Sequence, residues 1–171
     1  MRVLLVLCLA LVAALAPAAA EAAPKPAGDT ARGSGVRPNN DEFRFEAFSG
    51  VNGESPTGTM EYFDWTYQVR IRGEVRCMRV TGNRALLSGI ITDSPLEPPG
   101  TGAEGMTMYF FAEDGGRKGA DRFQASFGNF EDPCLIDNFH EPEPITSGQI
   151  AVQDCTALAR NGKRCARFSW R

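Results

Sequence analysis

The chain has a single histidine, His140, and it lacks the short motifs of the common catalytic and metal sites. Ser/His/Asp and Cys/His catalysis both need an imidazole beside the nucleophile, and no Gly-x-Ser-x-Gly elbow is present. The absence of any Cys-x-x-Cys pair argues against a zinc site. Because His140 lies in a loop rich in proline and acidic residues, we interpret it as a solvated side chain. The sequence therefore predicts no catalytic residue and no cofactor.

Apolar runs are also scarce, and after residue 20 no segment is apolar enough to span a membrane. The first twenty residues differ. Arg2 precedes the apolar run Val3–Leu15, and Ala18 and Ala20 provide a small-x-small cleavage site. This is the pattern of a secretory signal peptide. We therefore expect residues 1–20 to be removed and the mature protein to be secreted, without a stable membrane span.

Cleavage would leave about 150 residues, which is the size of one domain. The loss of Arg2 changes the formal net charge from −3 to about −4, so nucleic-acid binding is not expected. Residues 21–40 contain three prolines, three glycines and few side chains that could enter a core. Because such a composition does not offset the entropy lost on ordering, we predict a disordered linker over 21–40.

Four cysteines remain after cleavage: Cys77, Cys134, Cys155 and Cys165. An even number of cysteines in an exported chain predicts two disulfide bonds, and four cysteines allow three connectivities. We favour Cys77–Cys134 together with Cys155–Cys165, because Cys155 and Cys165 are close in the sequence and bracket a turn. The chain-entropy model gives about 3 kcal/mol for the shorter loop and about 4 kcal/mol for the longer one.

Period-two alternation of apolar and polar side chains predicts strands through the rest of the chain, and no helical periodicity of useful length appears. The predicted strands cover 41–47, 59–72, the two arms of a hairpin over 70–93, 106–112, 121–128 and 145–152. Residues 153–171 are predicted to form an appended hairpin closed by the cysteines at 155 and 165. The predicted fold over 41–152 is an antiparallel β-sandwich, with a small β-barrel as the alternative.

The hairpin over 70–93 has the strongest signal, because two apolar-rich runs flank Gly82-Asn83, and glycine accepts positive φ at the first turn position. A two-residue loop pairs Val80 with Ala85 and Met78 with Leu87 on one face. The opposite face then receives Cys77 with Ser88 and Val75 with Ile90. Both faces are partly apolar, so either the strands are covered on both sides or a bulge near Arg79 shifts the register.

The run 58–89, GTMEYFDWTYQVRIRGEVRCMRVTGNRALLSG, contains the pattern Gly-x-Val-x-Cys-φ-x-Val-x-Gly-Asn-Arg-Ala. It resembles a family of bacterial, largely actinobacterial, secreted β-domain proteins of unknown function. The resemblance extends over about 43–152 and includes Gly119-Ala120-Asp121, Cys134 and Gly148-Gln149-Ile150. It departs at Gly115, where the family has asparagine, and it excludes the tail. The resemblance implies a secreted antiparallel β-domain with a Cys77–Cys134 bridge, and it implies no activity.

Five arginines lie close together along the consecutive strands of the predicted hairpin: Arg70, Arg72, Arg76, Arg79 and Arg84. One interpretation is a basic stripe that binds an anionic polymer, such as a wall polymer or nucleic acid. The interpretation that we favour is cross-strand pairing with Glu61, Asp64 or Glu74 on a solvated face.

Four aromatic residues precede these arginines: Tyr62, Phe63, Trp65 and Tyr67. If exposed, they would offer a platform for a carbohydrate. Because Phe63, Trp65 and Tyr67 share the parity of Val69 and Ile71, core packing is the favoured interpretation.

Carboxylates are the remaining candidates. Asp114 and Asp121 flank a glycine turn and could hold calcium, which prefers oxygen ligands, but a turn capped by aspartate is the favoured interpretation. Asp64 lies among aromatic residues and is a candidate for glycoside hydrolysis, which leaves no spacing signature, but an outward-facing strand residue is the favoured interpretation. An acidic cluster in the loop 129–144 is interpreted as solvated; its members are Glu131, Asp132, Asp137, Glu141 and Glu143.

These observations favour a secreted, non-catalytic β-domain with a binding or structural role, whose partner is an extracellular protein or a cell-wall polymer. The loops 94–105 and 129–144 are the predicted contact surfaces, because recognition residues concentrate on the loops of rigid scaffolds. The alternatives are an extracellular hydrolase that uses carboxylates and a β-barrel that carries a small apolar ligand. A filled interior would favour the binding or structural role.

Overall fold

A computed structural model describes residues 28–95, 103–129 and 141–156 of the 171-residue chain. The strands of this part are β1 (Thr30–Val36), β2 (Glu42–Phe48), β3 (Thr57–Asp64), β4 (Val69–Thr81), β5 (Arg84–Asp93), β6 (Thr107–Glu113), β7 (Arg122–Gly128), β8 (Glu143–Pro144) and β9 (Ser147–Gln153). Helical structure in this part is limited to residues 155–156, and it contains no helix that could cross a membrane. The all-β prediction is confirmed.

All nine strands belong to one antiparallel sheet, in the order β8-β7-β6-β5-β4-β3-β2-β1-β9, and the sheet curls strongly into a half-barrel. The curl brings the inner faces of β2 and β7 together. Phe43 and Phe123 stack with their ring centroids 3.7 Å apart, and Phe110 meets Phe123 edge to face at 4.9 Å. With Phe45, these rings form the centre of a core that continues along the inner faces of β3 to β6.

Strand β1 corrects the predicted disordered linker. It pairs along its whole length with β2 on one side and β9 on the other. A Cβ atom on Gly33 would lie 2.8 Å from the ring of Phe45, and one on Gly35 would lie 3.0 Å from the ring of Phe43. The neighbouring rings therefore supply the apolar contacts that the side chains of β1 lack, which explains why composition indicated a linker. The rest of the predicted linker up to residue 27, and the predicted signal peptide, lie outside the described residues.

Strands β4 and β5 form the predicted hairpin, with Val80 opposite Ala85, Met78 opposite Leu87 and a φ of +62° at Gly82. The predicted pairing of Val75 with Ile90 is wrong, because a bulge between Val75 and Cys77 places Val75 opposite Gly89. The bulge is thus at Arg76 rather than near Arg79. In addition, residues 85–89 are buried on both faces, so both explanations for the two apolar faces apply.

The predicted strand 59–72 is wrong, because it is two strands, β3 and β4, joined by a turn at residues 65–68. Oδ1 of Asp64 accepts hydrogen bonds from the backbone N–H groups of Thr66 (2.8 Å) and Tyr67 (3.1 Å). Such Asx geometry offers the backbone an alternative to the sheet ladder and ends β3. The other predicted strands correspond to β2, β6, β7 and β9, with boundaries that differ by two residues at most.

Candidate binding face

The outer face of the sheet, opposite the core, carries alternating charges across β2 to β5. Glu61 accepts hydrogen bonds from Arg70 and from Nε of Arg72, the latter at 3.0 Å. Arg72 also lies 3.4 Å from Asp93. Burial alone would raise the pKa of Glu61, but the hydrogen bonds and charges of the two arginines together lower its pKa below the ordinary value. Glu61 is therefore an ionised carboxylate held by two guanidinium groups.

Two further arginines of the predicted stripe have carboxylate partners. Arg76 lies 2.9 Å from Glu74, and Arg84 lies 3.2 Å from Glu113. The fifth arginine, Arg79, is exposed. The pairings of Arg70 and Arg72 with Glu61 and of Arg84 with Glu113 are cross-strand. Arg76 and Glu74 instead lie on the same strand, β4, and Asp64 caps a turn. The ion pairs favour a structural role for the arginines, and an anion-binding role stays a prediction.

The predicted aromatic residues divide between the two faces. Tyr62 is buried on the inner face, and Phe63 is half-buried on the outer face beside Arg70. Trp65 and Tyr67 lie on the turn after β3 and are 48% and 76% exposed. Core packing was therefore the wrong interpretation for Trp65 and Tyr67, which we call the aromatic platform.

Trp65 of the aromatic platform is held in place by contacts of its ring and of its backbone. The rings of Phe63 and Trp65 meet edge to face, with centroids 5.3 Å apart and an interplanar angle of 83°. The guanidinium group of Arg70 lies over the ring of Phe63, 5.0 Å from its centroid. The backbone N–H of Trp65 donates a hydrogen bond to Oδ1 of Asp41 at 3.0 Å. An exposed indole is thus attached to a turn whose backbone is held by a buried carboxylate.

Asp41 belongs to a buried polar network at this end of the sheet. Its Oδ2 accepts hydrogen bonds from the Tyr62 hydroxyl and from Asn39 Nδ2, both at 2.5 Å, and Arg37 donates to the Tyr62 hydroxyl at 2.9 Å. Burial, with the hydrogen bond to Asp41, raises the pKa of Tyr62, so its phenol remains a donor. The strand pattern over 41–47 gave Asp41 no functional role; the turn-forming residues Pro38 to Asn40 were the signal for a bend, but not for a buried carboxylate.

A shallow trough crosses the outer face where β1 carries the small side chain of Ser34. Two depressions, of about 310 and 320 Å³, share Ser34 and Arg44, and together we call them the outer trough. It extends from β9 to β4, a width of about 19 Å at about 4.8 Å per strand. Side chains that line it include Arg32, Ser34, Glu42, Arg44, Glu46, Glu61, Phe63, Arg70, Gln149 and Ala151. Composition indicated none of the β1 or β9 residues as site residues.

The predicted calcium ligands Asp114 and Asp121 lie at the two ends of the glycine turn between β6 and β7, and both bind backbone N–H groups. Asp121 accepts hydrogen bonds from Gly115 (2.9 Å) and Ile150 (2.6 Å). Asp114 accepts one from Gly116 at 2.7 Å. This arrangement favours turn capping over calcium binding. The described parts of the chain contain no cluster of three or more metal-ligating side chains.

Several predicted residues lie outside the described residues: His140, Cys134, Cys165, Glu131, Asp132 and Asp137, with most of the loops 94–105 and 129–144 and the tail hairpin. Within the described part, Cys77 lies opposite Ser88, and the N–H of Cys155 donates to Asp29 at 2.7 Å. The pairing of the four cysteines stays a prediction. No family model matches the chain, and neither a curated protein nor a solved structure matches it.

Proposed function

We propose that the protein is a secreted, non-catalytic binding domain that holds an extracellular polymer on the outer trough and the aromatic platform. The observation that supports this most strongly is the exposure of Trp65 and Tyr67 on one fixed turn beside the trough. Single exposed apolar side chains are ordinary, but here two exposed aromatic residues share one turn, and Trp65 contacts Phe63, which lines the trough. Aromatic rings with a polar tip are also enriched where proteins bind partners.

The interior of the sheet supports binding over the transport of a small apolar ligand. The stacked and edge-to-face rings of Phe43, Phe110 and Phe123 occupy the space that a carrier would need for its cargo. Well-packed aromatic clusters of this kind stabilise a scaffold. Among the described residues, the outer face from β9 to β4 therefore offers side chains to a partner.

The electrostatics of Glu61, a carboxylate of the trough, support binding over a role for Glu61 in glycoside hydrolysis. A glycosidase needs one carboxyl group whose pKa is raised, so that it can protonate the leaving oxygen. In the trough, Glu61 has a lowered pKa and is hydrogen-bonded to two arginines. Such a carboxylate is a hydrogen-bond acceptor and an unsuitable general acid.

Secretion is part of the proposal and is supported by the signal-peptide pattern of residues 1–20. Membership of the secreted β-domain family is likewise proposed, on the hairpin pattern of 73–85. For the fold we propose the barrel-like alternative rather than a sandwich. The strand order is continuous, and the carboxylates of Asp114 and Asp121 connect the turn between β6 and β7 to β9.

A pull-down with the mature protein tests the proposal. Immobilised wild type is incubated with cell-wall fractions and culture polymers, in parallel with the double variant Trp65→Ala/Tyr67→Ala. The matched control is Val51→Ala, which removes another exposed apolar side chain from the loop between β2 and β3. We expect capture of a polymer by wild type and control and its loss in the double variant. Equal capture by all three, or release of reducing ends from the captured material, would overturn the proposal.

A further inference from the structure

We infer that the polymer held by the outer trough is an uncharged polysaccharide, an inference that rests on the proposed function and narrows it. Positive and negative side chains are balanced in the trough. The trough is lined by three arginines and by three glutamates: Arg32, Arg44 and Arg70, and Glu42, Glu46 and Glu61. A polyanion would be attracted by the arginines and repelled by an equal number of carboxylates in the same two depressions, whereas an uncharged chain meets no such repulsion.

The hydrogen-bonding groups of the trough also suit a sugar. Sugar hydroxyl groups both donate and accept, so they need partners of both kinds. Glutamates provide acceptors, Arg44 provides donors, and Ser34 and Gln149 provide both. Hydrogen bonds to charged groups are also stronger than those between neutral groups.

The aromatic platform also fits a sugar ring. One face of a sugar ring presents mainly C–H groups, which pack on the face of an aromatic ring. Trp65 meets Phe63 edge to face and its backbone is bound to Asp41, so the indole is positioned before the ligand arrives. Pre-organisation of this kind reduces the entropy lost on binding.

The position of the trough argues against an extended peptide as the occupant. A peptide that adds to a sheet uses the unpaired backbone groups of an edge strand. Most of the trough lies over β1, β2 and β3, each of which pairs with a strand on both sides. It also reaches the edge strand β9, but there the backbone N–H groups of Ile150 and Val152 are bound to Asp121 and Asp114. Recognition therefore depends on side chains and on shape.

Two kinds of probe test the inference: an array of neutral and acidic glycans, and long-chain polyphosphate. The glycan that binds most strongly on the array is then titrated in solution. Trp65→Ala removes the indole of the platform and Ser34→Trp fills the trough, while Val51→Ala is the control. Unchanged far-ultraviolet dichroism and melting temperature verify that each variant folds. We expect binding to a neutral glycan, at least tenfold weaker for Trp65→Ala and for Ser34→Trp. Because the ligand is uncharged, affinity should stay within about twofold between about 50 and about 500 mM salt.

The possible failures are distinguishable. Salt-sensitive binding to polyphosphate or acidic glycans alone, still weakened by Trp65→Ala, would overturn the uncharged ligand and leave the proposed function standing. The same conclusion would follow if the protein captures a cell-wall polymer in a Trp65-dependent way but binds no neutral glycan on the array. If Trp65→Ala and Ser34→Trp bind every probe with the affinity of the wild type, both the inference and the proposed function are overturned.

Discussion

Asp121 Oδ2 accepts a hydrogen bond from the backbone N–H of Ile150 at 2.6 Å, and so ties the turn before β7 to the last strand of the sheet. Ile150 is nearly fully buried, and its N–H points away from β1, the only strand with which β9 pairs in the described residues. Asp114 plays the same part for Val152. Two carboxylates thus satisfy backbone donors that have no ladder partner at the seam of the curled sheet.

Replacement of Asp121 by alanine should destabilise the protein by about 2–3 kcal/mol, because it leaves a buried N–H without its charged acceptor. The measurement is urea unfolding of the wild type and the variant at neutral pH. Asp93→Ala is the control, since this carboxylate is exposed and forms a surface ion pair with Arg72; its loss should change stability by less than about 1 kcal/mol. Similar losses for both variants would contradict a special role for the seam.

Gly33→Ala should destabilise the protein by about 1–3 kcal/mol, the usual range for overpacking a core. The new methyl group would lie 2.8 Å from the ring of Phe45 and 2.9 Å from Ile150. Ser34→Ala, on the outer face of the same strand, provides the control and should be close to neutral. A neutral or stabilising Gly33→Ala would mean that β1 does not pack as described.

Gly33 and Gly35 of β1 explain how far the sequence could predict this fold. Alternation over β2, β6 and β7 and the Gly82 turn predicted strands correctly, because each strand carries its own buried side chains. Strand β1 was missed because its inner contacts come from phenylalanines of β2. Parity predicted burial for Trp65 and Tyr67, but the Asx turn at Asp64 interrupts the strand before that parity applies. The outer trough depends on which strands are neighbours, and no local pattern contains that information.

Asp29 should give the protein an unusual pH dependence. Burial raises its pKa, and the charges of Asp154 and Glu54 raise it further, against the hydrogen bond from Cys155. A carboxyl group whose folded pKa is raised binds its proton more tightly in the folded state, so its contribution to stability falls as pH rises through that pKa. Asp29→Asn, which keeps an oxygen for the Cys155 N–H, should therefore be more stable than wild type at pH 7 and lose that advantage near pH 3.

Glu61→Gln is the control, because its effect on stability at pH 7 should have the opposite sign to that of Asp29→Asn. Because the pKa of Glu61 is lowered on folding, the carboxylate contributes stability above its unfolded pKa and loses it as pH falls through the folded pKa. This variant should be less stable than wild type at pH 7 and similar to it at low pH. Urea unfolding of both variants at the two pH values checks the signs; the same sign for both would refute the assignment.

The predicted disulfide bonds can be tested by mass spectrometry of the unreduced, proteolysed protein. We expect one peptide pair joined by Cys77–Cys134 and a second joined by Cys155–Cys165. Double replacement of Cys77 and Cys134 by serine should lower stability by about 2–5 kcal/mol. Bonds that join Cys77 to the tail, or four reduced thiols in the secreted protein, would contradict the predicted pairing.

Trp65 is the residue of the outer face on which the proposed binding depends most. The chain has two tryptophans, Trp65 and Trp170, so a Trp170→Phe variant reports on Trp65 alone. Its indole fluorescence should change in a saturable way when the captured polymer is added, with the same midpoint as binding measured by calorimetry. Full binding of the polymer with no change in the fluorescence of Trp65 would contradict the central claim.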